Sequence, residues 1–408
     1  MTEYRRRYID LFFKICIAMV TFGYVFDIKF FINTFFFTGI LLKFLLLEND
    51  QKSKLVLLKN SIDIKMIGLM VLFSISLMVS TYFSVNLQNS LKYTEHYIKW
   101  MFIAFCSAYI LMFNLKTRDF EQPIIYGLTV GEIVIVIGVL WNYFVLDIQR
   151  PDSFFIVHPN ATAGVMVFLL PFVILNNYLS KYVRLFLFII ITISLILTES
   201  RGAIIAYMVI LIVDLFINKS YFNNIIKMVK SRPILSSIAI IFFICLFCSV
   251  FYTNNRFYEV FNTYDNLKRY YVGGDRLLLW ESSLNIIKDY PIFGIGLNNF
   301  NFVYLNGYIS EYAREPNLQS PHNIILHFLV ETGVFGGVCL LLIFRYQLLK
   351  LFKHRNDKFS YMYFLAIISI LIHGMVDYVF LKKAFYQLYW FICGLIWINC
   401  NAKDEIHK

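Results

Sequence analysis

The sequence predicts an all-α polytopic membrane protein with about twelve transmembrane helices. Two compositional observations lead there, and the third is a pattern. Of 408 residues, 59% are hydrophobic and only 15% are charged, against about 25% charged in soluble domains. The 43 Phe and 28 Tyr are more aromatic surface than so few polar residues could cover in water. Apolar runs of bilayer-crossing length recur along the chain, and the mean hydropathy is +0.65. With Gly at 18, Pro at 8 and Cys at 7, the composition excludes a collagen, a disordered chain and a disulfide scaffold.

The runs lie at 9–26, 28–47, 66–83, 98–113, 123–146, 160–178, 182–198, 202–218, 234–252, 323–345, 361–381 and 385–400. The first follows Arg5, Arg6 and Arg7 as a signal peptide would, but no small-residue cleavage site follows it, and it reads as a retained span. Basic residues concentrate in alternate connections: Arg5 to Arg7, the segment 52–65, Lys116 and Arg118, Lys181 and Arg184, and the segments 219–232, 345–358 and 403–408. The positive-inside rule then places both termini in the cytoplasm. The net charge of +11 follows from this bias and calls for no nucleic acid. Cys245 and Cys248 form a CxxC inside an apolar run, where they read as two small side chains on one helix face.

Only one connection, 253–321, is long enough to fold over a site, and the orientation puts it outside. The chain therefore divides into 1–252 with nine spans, 253–321 as the outer loop, and 322–408 with three spans and a cytoplasmic end. Long loops in a tight scaffold tend to carry function. Within this one, Leu277, Leu278, Trp280, Leu284, Ile286 and Ile287 give "DRLLLWESSLNIIKDY" the pattern of an amphipathic helix at the interface. Outside the envelope there is no ATP, so a reaction there must use an already activated substrate.

Three outer polar residues stand out. Arg201, in the tight turn "TESRGA", sits where the next helix begins near Gly202. A guanidinium beside a helix N-terminus makes an anion site, although a lone Arg there also reads as a snorkelling span marker. Arg276 opens the loop helix after Gly273, Gly274 and the potential cap Asp275; alone it also reads as a surface Arg. His322, in "SPHNIILHFLVETGVFGG", stands where the loop re-enters the membrane. It reads as a general base or as an interfacial His bonded to a neighbour. Together, two Arg and one His fit transfer from a pyrophosphate leaving group to a hydroxyl, with the Arg forks offsetting developing charge. No DxD-like carboxylate pair occurs outside, which favours a metal-free reaction without a cofactor.

Charges inside spans take a functional reading by default. For Glu132, Asp214, Glu331 and Asp377, with His373 four residues before the last, a helix-packing role is expected. Lys14 and Lys43 can snorkel. A direct His322–Glu331 dyad is not expected, because nine residues of helix separate them. Gly333 and Gly336 read as helix-packing glycines, and His327 as structural. In "HPNATAG", Pro159 and Asn160 suit a helix start, and His158 reads equally as part of that start or as cavity lining.

The combination "SRGA", then "RLLLWESSLNIIKDYPIFGIGLNNF", then His322-Asn323 with "GVFG" at Gly333 and Gly336 resembles the O-antigen ligase/polymerase superfamily. The likeness is strongest over 195–345, and "HGMVDYVF" at 373–380 resembles the family's following span. What the resemblance implies is a GT-C-like inner-membrane glycosyltransferase with a periplasmic site under the long loop. Its donor would be O-antigen on undecaprenyl pyrophosphate and its acceptor lipid A–core. The reaction would be inverting and metal-independent, with Arg201 and Arg276 on the pyrophosphate, His322 as base, and His158 and Asn323 as further cavity lining. One elaborated outer loop favours a ligase over a polymerase, which commonly has two. A protein-targeted oligosaccharide transferase and a transporter of the lipid-linked sugar are the other readings; no internal repeat supports the last.

Overall fold

A computed structural model of the chain describes residues 3–46, 63–112, 117–217, 275–311, 313, 317–379 and 382–406. The expected span at 234–252, with Cys245 and Cys248, lies outside these residues, as does the first part of the outer loop, 253–274. Among the described residues all regular structure is helical. In chain order the helices are α1 (Glu3–Phe26), α2 (Lys29–Leu46), α3 (Ile64–Tyr82), α4 (Leu87–Met112), α5 (Thr117–Phe144) and α6 (Pro159–Ile174). Then follow α7 (Lys181–Leu197), α8 (Arg201–Ile217), α9 (Asp275–Asp289), α10 (Ile324–Lys353), α11 (Lys358–Gly374) and α12 (Lys383–Ile406). Every expected span within the described residues therefore coincides with a helix. Among the described residues four stretches, Arg7–Phe26, Ile64–Tyr82, Phe120–Phe144 and Ile324–Lys353, are long and apolar enough to cross a membrane.

The bundle is organised around α6. Beyond Asn160 and Thr162 in its first turn its side chains are apolar all round, and every residue from Asn160 to Val173 is buried, the pattern of a helix with no face to spare for solvent or lipid. It packs against α5, α7, α8 and α11, while α1 pairs with α2 and α5, and α12 with α4. At the end of α10 that carries Lys350, Asp63 caps α3 by accepting from the Met66 backbone N–H. The same carboxylate accepts from Tyr346 Oη at 2.9 Å and pairs with Lys350, tying α3 to α10.

Of the acids expected to serve helix packing, Glu132, Asp214 and Glu331 lie within helices and Asp377 does not. Asp214 accepts a 2.8 Å hydrogen bond from Tyr361, joining α8 to α11. Glu331 faces His327 one turn away at 3.3 Å, both buried. Lys43 does not snorkel: it is buried, with Nζ donating to the carbonyls of Ile110 and Leu111 at the end of α4. Asp377 is the exception. The expected span 361–381 ends early, because α11 stops at Gly374, and Asp377 falls in the turn beyond it.

Two further departures shape the outer loop. The first turns of α4 are polar and were not part of the expected span 98–113. They extend the helix back to Leu87, where Asn89 and Ser90 bond the loop at Leu297, Asn298 and Asn299. Gly333 is not merely a packing glycine: it breaks α10, with φ 64° and ψ −171°. Loop residues Pro291 to Gly296 lie along the break. Ile295 and Gly296 N–H donate to the carbonyls of Val330 and Glu331 at 3.0 and 2.9 Å, and Val334 N–H donates to Pro291 O at 2.9 Å. The loop thus supplies the partners that an interrupted helix would otherwise lack in lipid.

Candidate functional site

The site is built where α8, α9, α10 and α11 meet. α11 ends in the turn Met375 to Val379, where the Val376 and Asp377 N–H groups both donate to His373 O, at 3.1 and 2.9 Å. α8 starts against this turn. A Cβ on Gly202 would lie 2.3 Å from Val376 Cγ2, so only glycine lets the helix start come this close. Arg201, the first residue of α8, is thereby brought beside the turn that carries Asp377.

α10 starts on the other side. Asn323 caps it: its Oδ1 accepts from the Ile325 and Leu326 N–H groups at 3.0 and 3.1 Å, and its Nδ2 donates to Met375 O at 3.0 Å. The side chain expected as cavity lining is committed to joining the α10 start to the turn. His322, immediately before the cap, has φ 50°, a left-handed conformation uncommon for a residue with a Cβ. The loop helix α9 is fixed to the same spot, since Trp280 Nε1 donates to Pro321 O at 3.0 Å. The packed face of α9 is Leu279, Ser282, Ser283 and Ile286, while Leu277 and Leu284 of the expected apolar pattern are exposed.

The result is a three-residue constellation. His322 Nδ1 lies 3.2 Å from Asp377 Oδ1, and Arg276 Nη2 lies 3.7 Å from Asp377 Oδ2. Asp377 is 12% exposed, against 27% for His322 and 38% for Arg276, so the carboxylate sits beneath two more accessible groups. Burial alone would raise the Asp377 carboxyl. The hydrogen bond with His322 and the charges of His373 and His322 outweigh it, holding the group below the usual carboxylate range. An ionised Asp377 can orient the imidazole and offset charge that develops on it. Sequence reasoning placed Asp377 among packing acids. The available signal was Gly374, which ends α11 and exposes Asp377 to the turn.

His158 sits before α6 with φ 143°, and its N–H donates to Asp152 Oδ2 at 3.0 Å. Its ring is exposed, and the charges of Asp377 and His322 reach it. His327 is buried, with its ring against that of Tyr378. Among the described residues no three or more His, Cys, Asp or Glu side chains gather as metal ligands.

Residues 186–341 match the family described as O-antigen ligase. A ComP-specific O-oligosaccharyltransferase of Acinetobacter baylyi is 24% identical over 242 residues, 59% of this chain and 42% of that protein. A Rickettsia conorii protein named "putative polysaccharide ligase" is 22% identical over 354 residues, 83% of this chain and 80% of that protein. The chain thus spans less than half the length of the Acinetobacter relative. The resemblance to the O-antigen ligase superfamily read from the motifs stands, and its matched region contains Arg201, Arg276 and His322.

Proposed function

We propose that the chain is an O-antigen ligase, an inverting glycosyltransferase of the inner membrane working at its periplasmic face. The donor is O-antigen polysaccharide on undecaprenyl pyrophosphate, and the acceptor is a hydroxyl of lipid A–core. The observation that carries this reading is the His322–Asp377–Arg276 constellation beside the Arg201 helix start. A base and cations collected around one carboxylate suit a reaction that removes a proton and releases a polyanion.

In the reaction, Asp377 holds the Nδ1–H tautomer of His322, and Nε2 takes the proton of the acceptor hydroxyl. The acceptor oxygen forms the new bond to the anomeric carbon as the bond from that carbon to the pyrophosphate oxygen breaks. Arg201, with the α8 N-terminus, and Arg276 bind the diphosphate and offset the charge it gains. Undecaprenyl pyrophosphate leaves, and the configuration inverts. The long loop, spanning 253–321, covers the site between the two lipids, with about twelve spans below it and both termini in the cytoplasm.

The test is a lipopolysaccharide gel from a strain lacking the protein. A ligase predicts polymerised, lipid-linked O-antigen and bare core; single-repeat decoration of the core instead supports a polymerase. The Acinetobacter relative's name favours a second reading, oligosaccharide transfer to a protein hydroxyl by the same chemistry. An unchanged gel with loss of a glycoprotein band would support that reading over the first.

A further inference from the structure

Arg150 lies in the connection between α5 and α6, outside the residues assigned above. Its guanidinium bridges two elements that are distant in the chain. Nε donates to the Thr198 carbonyl at 3.2 Å, and Nη2 donates to Asn160 Oδ1 at 2.5 Å. Thr198 is the buried residue that closes α7, and Asn160 lies in the first turn of α6. Between Thr198 and Arg201 the backbone takes an unusual path: Glu199 has φ 55°, and Ser200 is buried with its N–H directed to Thr198 Oγ1.

A turn of this kind does not hold its shape through local preference, because a non-glycine residue in the left-handed region is strained. It needs an outside anchor. A cation at the carbonyl end of α7 is electrostatically favourable, and the planar fork of an Arg can satisfy two acceptors at a set separation. We propose that Arg150 is a positioning residue for Arg201. By anchoring Thr198 to the start of α6, it fixes the turn that aims the Arg201 guanidinium and the α8 N-terminus at the donor diphosphate. This inference rests on the reading of Arg201 as a diphosphate ligand.

The experiment uses the full chain in liposomes, with a lipid-pyrophosphate-linked glycan and a lipid acceptor, and inorganic pyrophosphate as a competing probe. Arg150→Ala should lower kcat roughly 10- to 100-fold, the usual cost of a displaced binding group, and weaken pyrophosphate inhibition about tenfold, with acceptor KM unchanged. Arg150→Lys should not restore the rate, because an ammonium lacks the two-pronged geometry. Asn160→Leu should shift both readouts in the same direction, and Asn160→Asp, which keeps an acceptor for the fork, should stay near the parent. Full rescue by Arg150→Lys would overturn the inference, as would an Arg150→Ala protein that melts earlier yet keeps its pyrophosphate inhibition. Arg201→Ala runs in parallel: unchanged pyrophosphate inhibition there would overturn the diphosphate reading itself. Loss with Arg201→Ala but none with Arg150→Ala would overturn only the positioning role.

Discussion

Replacing Asp377 with Asn removes one charge while keeping nearly the same shape. Asp377 is 12% exposed and lies 3.2 Å from His322 Nδ1. In the proposed reaction His322 takes the acceptor proton, and the new imidazolium faces the carboxylate at that distance. Coulomb's law with an effective dielectric near 20 gives roughly 5 kcal/mol for such a pair. Residual water lowers this, so about 3–5 kcal/mol is the stabilisation at stake, or roughly 10²- to 10⁴-fold in rate at about 1.4 kcal/mol per decade. The amide can also turn its NH₂ toward Nδ1, favouring the tautomer that blocks proton removal at Nε2. The assay is single-turnover glycan transfer by purified protein in liposomes, at matched protein amounts. A rate for Asp377→Asn within about threefold of the parent would refute the assignment, because no buried ionic partner of the base could be lost so cheaply.

Four other outcomes are expected. His322→Ala, Arg201→Ala and Arg276→Ala should each abolish transfer at normal membrane levels by immunoblot; a fully active Arg276→Ala would break the pyrophosphate-clamp reading. Gly333→Ala should destabilise the protein by about 1–3 kcal/mol or more, because its Cβ would lie 2.2 Å from Ile292 O at a φ of 64°; a melting temperature in detergent equal to the parent's would count against the break. Trp280→Phe should weaken the hold of α9 on the His322 turn by about 1 kcal/mol, seen as a several-fold rate loss with faster protease nicking of the loop. The pH dependence of Asp377 follows from its lowered value: its contribution to stability is complete above the ordinary 3.8 and is lost as pH falls through the folded value. The stability gap between the parent and Asp377→Asn should therefore still be open at pH 5 and close as pH falls below 4.

The spans within the described residues were legible because hydropathy reports what a helix must hide. Its boundaries fail where one helix has two environments. The polar opening of α4, Leu87 to Lys99, reads as a loop by hydropathy, yet Asn89 and Ser90 need a rigid helix to meet Asn298 and Asn299. That Arg276 and His322 come together was legible from the motifs, and both lie against one carboxylate. Asp377 was not, since a carboxylate four residues after His373 on an assumed continuous helix looks like part of a packed face. The stop at Gly374 changes its surroundings entirely. Gly333 shows the same limit from another side. Its left-handed backbone depends on Pro291 to Gly296, a segment about forty residues earlier, and local periodicity carries no trace of that partner.

The seam between the loop and α10 also bears on how the chain is made. Ile295 and Gly296 donate to carbonyls of a helix that is synthesised after them. On the proposed topology the loop must be translocated before α10 can settle, and α10 would enter the bilayer with its interrupted turn unsatisfied if the loop arrived late. Biogenesis of this protein thus has a required order at Gly333. Once the seam closes, Pro291 to Gly296 becomes a fixed sill, and on the proposed reaction an opening that admits the two lipid-borne substrates must occur at other edges of the loop.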